Sequence, residues 1–152
     1  RGYRGGTQNY IGNETLTVSL IEFDKKKNLL EELKANRLNF EKKIKSDFVN
    51  AVIIGEKAPR LSGTTLIGYP TLHGQAIQIE LESHDIFVTT SSACSDNEPA
   101  TSKVLKAMGI EDSIGRSVIR ISLSVENSQE KYEKIYLALK SAYTKLAKVK
   151  SI

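Results

Sequence analysis

The sequence predicts an α+β fold: a small, mainly antiparallel sheet with helices packed on one side. Three observations predict it. Two segments of helical period precede any strand, short β-branched runs then alternate only partly with helical ones, and the clearest amphipathic stripe comes at the end of the chain. At 152 residues and 16.8 kDa the chain suits one domain.

The opening RGYRGGTQNYIG is rich in Gly and polar groups and reads as a loop entering a helix. From about Glu14 to Phe23, Leu16, Leu20 and Phe23 share a helical face. From about Lys26 to Lys45, Leu30, Leu33, Phe40 and Ile44 recur at helical spacing among many charges. Ala51 to Ile54 is a β-branched run ended by Gly55, and Thr65 to Tyr69 is a second strand closed by Pro70. Ala76 to Leu81 is ambiguous, because Ile77, Ile79 and Leu81 alternate as in a strand while Ile77 and Leu81 also suit a helix. Ile86 to Thr90 reads as a strand. Pro99 to Met108 reads as a helix, with Pro in its first turn and Gly109 just past its end. Val118 to Leu123 alternates as a strand. In the final helix Tyr132, Ile135, Leu139, Tyr143 and Leu146 form one stripe, and Asn127 with Glu130 has the spacing of a capping box. No internal repeat or low-complexity linker interrupts this order.

Composition narrows the function. The chain is 39% hydrophobic and 26% charged, the balance of a globular protein and not of a disordered one. No stretch approaches the ~18 apolar residues of a membrane span, so no membrane partner is expected. The net charge is +4, but acidic residues nearly match basic ones along the helices, and no nucleic-acid partner is expected. The Lys-rich runs Lys25 to Lys27 and Lys140 to Lys150 read as solvated helix faces. A single cysteine excludes an internal disulfide and any multi-cysteine metal site, and two histidines argue against zinc. No metal is expected. The lone thiol suits a reducing compartment, the cytoplasm. The chain starts at Arg1 and its one methionine is Met108, so it is expected to be part of a longer polypeptide.

Three places could carry chemistry. Cys94 lies in TTSSACSDNEP, small and polar residues between a strand and a helix, where little can be buried. Structural cysteines usually sit in apolar stretches. Such a thiol is either an inert loop residue or a nucleophile; at an ordinary pKa only about 3% is thiolate at pH 7, so a partner must activate it. Arg120, in SVIRIS, leaves the core if Ile119 and Ile121 face it. A guanidinium fixed on a strand suits bidentate capture of a carboxylate, although a lone arginine is more often solvated or ion-paired. In RGYRGGTQN, exposed backbone N–H groups and the Thr7 hydroxyl could cradle a phosphate, although Gly-rich ends are usually just pliant. His73 and His84 stand at no metal-ligand spacing.

Together these elements resemble the C-terminal part of a cysteine desulfurase, in the class V aminotransferase family of pyridoxal-phosphate enzymes. RGGTQN resembles the family's R-x-G-T-x-N segment. VTTSSACSDNEPATSKVLKAMGI resembles the loop and helix around the catalytic cysteine, and IGRSVIRISL resembles the strand bearing the substrate-binding arginine. The resemblance implies the small C-terminal domain of a fold-type I pyridoxal-phosphate-dependent transferase over residues 13–152, with residues 1–12 a junction from a large cofactor domain. It implies that Cys94 attacks the sulfur of L-cysteine and holds it as a persulfide, while alanine is released. It implies that Arg120 grips the substrate carboxylate and that Thr7 contacts the pyridoxal phosphate across a homodimer interface. It further implies a sulfur-acceptor scaffold protein of iron–sulfur cluster assembly as partner, and a helix over Gly74 to Leu81.

Two departures stand out. Ser91 replaces the family's glycine before Ser-Ala-Cys, and RLSGTT at Arg60 to Thr65 replaces R-x-P-N-T, so no role carries over to that turn. No S-x-H-K motif for the cofactor's Schiff-base lysine occurs, so this chain alone is expected to be inactive. The other readings are a stand-alone persulfide carrier or interaction module, and a related class V enzyme such as a selenocysteine lyase.

Overall fold

The structure, a computed structural model, describes residues 5–90 and 101–149. A four-stranded sheet forms its centre, in the order β1-β2-β4-β3, with β1 Val52–Ile53, β2 Thr64–Gly68, β3 Thr89–Thr90 and β4 Ile119–Ser122. All three strand pairs are antiparallel. In β2 and β4, Ile67, Ile119 and Ile121 face the main core, and Thr65↔Ile121 and Ile67↔Ile119 are direct partners in the ladder.

Three helices cover that face: α2 Leu30–Asp47, α3 Gly74–Glu82 and α6 Ser128–Val149. Each buries the stripe its period dictates. Leu33, Phe40 and Ile44 of α2 meet Tyr132, Ile135 and Leu139 of α6, and the Phe40 and Tyr132 rings lie 5.0 Å apart. Burying one such side chain contributes about 1.5–3 kcal/mol.

The ambiguous segment resolves as a helix. In α3, Ile77 and Leu81 are buried one turn apart, while Ile79 is 65% exposed, the opposite of what strand alternation requires.

Several boundaries differ from the sequence reading. The first helix, α1 Tyr10–Lys25, begins four residues before Glu14 because Asn9 caps it, its side chain accepting from the Gly12 N–H at 3.0 Å. A single 3-10 turn, Lys27–Leu29, separates α1 from α2. The run from Ile86 is paired only at Thr89 and Thr90. Helix α4 spans Lys103–Ala107, with Ser102 as its cap, and Pro99 lies outside the described residues. Asn127 has φ 52°, the left-handed region, and its backbone carbonyl accepts the first α6 bond from Lys131.

The other face of the sheet carries a smaller apolar cluster that the sequence reading did not separate. Ile54, Leu105 and Val118 are buried there, with Leu66, Ile110 and Ile114 packed around them. Two short helices, α4 and α5 (Asp112–Gly115), cover it. Gly115 permits this approach, because a Cβ there would lie 2.2 Å from Thr101 Cγ2.

Candidate functional site

Arg120 projects from β4 on the face opposite Ile119 and Ile121, as the alternation requires, and it is exposed. Its ladder partners are Leu66 on β2 and Thr89 on β3. One step along, Thr64 and Ser122 hydroxyls lie 3.3 Å apart. The three other described arginines all pair with carboxylates: Arg37 and Arg60 with Glu41, and Arg116 with Asp112. Arg120 forms no hydrogen bond or ion pair with any described residue. Among the described residues nothing occupies its fork, and a guanidinium based on a strand suits capture of an external carboxylate.

Strand β3, beside Arg120, leads into residues 91–100. Cys94 lies in that stretch, outside the described residues. Past it, Thr101 is buried and donates to Asp112 Oδ1 at 2.6 Å. Arg116 Nε holds the other Asp112 oxygen at 2.5 Å. The hydrogen bond from Thr101, with the Arg116 guanidinium, holds the Asp112 carboxyl below its ordinary range. Thus the fold fixes the chain on both sides of residues 91–100, at the β3–β4 ladder and at Thr101.

Thr7 is exposed ahead of α1 and makes no hydrogen bond to a described residue. Nothing in the described structure brings it to Arg120. His73 and His84 are exposed, and no group of three metal-ligating side chains occurs among the described residues. No described helix is long and apolar enough to cross a membrane.

Sequence reasoning missed one constellation. Arg37 and Glu41 are buried on α2, paired at 2.8 Å, and Arg60 binds both Glu41 oxygens at 2.7 and 2.9 Å. The signal was present: Arg37 and Glu41 fall in phase with Leu33, Phe40 and Ile44 on the buried stripe.

These geometries can be set against known proteins. No family model matches the chain. A protein named cysteine desulfurase 2 from Trichormus variabilis is 33% identical over 137 residues, 89% of this chain and 34% of that protein. A cysteine desulfurase from Sinorhizobium fredii is 29% identical over 150 residues, 96% of this chain and 38% of that one. Over most of its length this chain is homologous to cysteine desulfurases. A NifS-like protein from Rickettsia africae matches in structure with a TM-score of 0.78 and 30% identity, over 93% of this chain and 36% of that chain. The chain thus spans about a third of the length of the desulfurases it matches, and its α+β fold is that of NifS-like proteins.

Proposed function

We propose that this chain is the C-terminal small domain of a cysteine desulfurase, residues 13–152, joined by residues 1–12 to a large cofactor domain. The observation that carries this reading is Arg120: the one unpaired arginine of the described residues, in the strand motif where the family places its carboxylate grip. It stands beside the strand that leads to Cys94.

In this reading Arg120 binds the α-carboxylate of L-cysteine through its two-pronged fork and orients the substrate. The Cys94 thiolate then takes the substrate sulfur: a sulfur–sulfur bond forms on Cys94, the carbon–sulfur bond breaks, and the carbon gains a proton to leave as alanine. A sulfur-acceptor protein, such as an iron–sulfur scaffold, removes the sulfur. Pyridoxal phosphate supplies the electron sink when bound. Its anchoring lysine is expected from the large cofactor domain, since no S-x-H-K motif occurs in this chain. In the same reading Thr7 contacts the cofactor phosphate across a homodimer interface, and this chain alone is inactive. The working compartment is the cytoplasm.

The test uses the protein at the length its cell makes, loaded with pyridoxal phosphate. Arg120→Gln should raise the KM for L-cysteine and spare cofactor absorbance. An unchanged KM would remove Arg120 from the site, and with it the chief support for the desulfurase reading.

A further inference from the structure

Arg120 stands in the middle of a rung that crosses three strands. Its ladder partners are Leu66 on β2 and Thr89 on β3, and directly opposed residues of antiparallel strands share one face. The other side chains next to it on that face are engaged. Leu66 packs against the second apolar cluster, and Val118, two residues before Arg120, is buried in it. Ser122, two residues after, meets the Thr64 hydroxyl at 3.3 Å. Thr89 is exposed, and its hydroxyl has no hydrogen-bond partner among the described residues.

An exposed arginine has many rotamers, and gripping a carboxylate in a bidentate fork requires that most of them be given up. Whatever limits the stem beforehand lowers that cost. Thr89 is placed to do so. Opposed Cβ atoms on neighbouring strands lie about 4.5–5.5 Å apart, within reach of the Arg120 methylenes. A β-branched side chain has little freedom at χ1, so it presents a fixed wall. Leu66, held by the apolar cluster, flanks the arginine on the opposite side.

We propose that Thr89 is a positioning residue for Arg120: its branched side chain, standing across the ladder, limits the arginine stem so that the fork is presented to the substrate carboxylate. The inference rests on the reading of Arg120 as the carboxylate grip. It assigns the work to the shape of Thr89 and none to its hydroxyl.

The test uses the protein at its native length, loaded with pyridoxal phosphate. Binding of L-alanine, which carries the same carboxylate and has no sulfur to give, is titrated by calorimetry beside steady-state kinetics with L-cysteine. Thr89→Ala removes the wall and should weaken L-alanine and raise the KM for L-cysteine by about two- to tenfold, with the effect on KM and not on kcat. Thr89→Val keeps the branched shape without the hydroxyl and should restore wild-type affinity. In an Arg120→Gln background Thr89→Ala should bring no further loss, since the residue acts through the guanidinium. Full affinity in Thr89→Ala, a loss in Thr89→Val equal to that in Thr89→Ala, or full additivity with Arg120→Gln would each overturn the proposal while leaving Arg120 in its role. Unchanged binding in Arg120→Gln itself would overturn the desulfurase reading and this inference with it.

Discussion

Thr89, on the edge strand β3, stands directly opposite Arg120 on β4. An exposed guanidinium without a partner among the described residues thus stands beside the strand from which the chain runs on to its single cysteine. Substrate capture and sulfur acceptance, as proposed, then depend on one short antiparallel ladder.

Substitution of Arg120 separates binding from folding. Losing a charge-assisted bidentate contact costs about 1.5–3 kcal/mol, so Arg120→Gln should raise the KM for L-cysteine roughly ten- to hundredfold. Because Arg120 is exposed and holds no described residue, the unfolding midpoint should stay within about 0.5 kcal/mol of wild type. Steady-state kinetics and urea titration check the two halves.

The helical reading of Gly74–Glu82 has an equally direct test. Leu81→Ala removes a fully buried side chain and should cost about 2–5 kcal/mol. Ile79→Ser, on the exposed side of α3, should change stability by no more than about 0.5 kcal/mol. Equal losses at both positions in denaturant unfolding would contradict the helix.

Glu41 makes stability depend on pH. Burial alone pushes its carboxyl up, but the hydrogen bonds from Arg60 and Arg37 outweigh it and hold the carboxyl below its ordinary value. A depressed folded-state value stabilises fully above the unfolded pKa, about 4.3, and that contribution fades as pH falls through the folded one. Glu41→Gln should flatten this acid limb in urea titrations at successive pH values. At neutral pH it should cost about 3–5 kcal/mol, because the buried Arg37 and the partly buried Arg60 lose their counter-charge.

The packing at Gly115 governs how Thr101 is held. Gly115→Ala places a methyl against Thr101 and should destabilise by about 1–3 kcal/mol while loosening the Thr101–Asp112 bond. Amide exchange at Thr101 and Asp112 should rise more than at the β2–β4 ladder.

Much of this was legible in residue order. The stripes of α2 and α6 and the alternation of β4 have strong periods, and Arg120 followed from the latter because Ile119 and Ile121 take the core face. Ala76 to Leu81 was not legible from period alone, since two apolar residues four apart fit either state until Ile79 shows its side. The first helix also misleads. Leu16, Leu20 and Phe23 share a face, yet α1 buries no residue and exposes all three. A helix apolar on more than one side is normally covered by other structure. The buried Arg37–Glu41–Arg60 cluster escaped because charged residues are usually read as solvated, although the helical phase placed two of them inward.

The most direct test of the account is the fate of sulfur on Cys94. The protein at its native length, loaded with pyridoxal phosphate, is mixed with L-cysteine, and the peptide bearing Cys94 is weighed by mass spectrometry under non-reducing conditions. The account predicts that this peptide gains the mass of one sulfur atom in step with alanine release, and that Cys94→Ser abolishes both while retaining the cofactor. Alanine released at the normal rate with Cys94 unmodified, or from the Cys94→Ser variant, would contradict it.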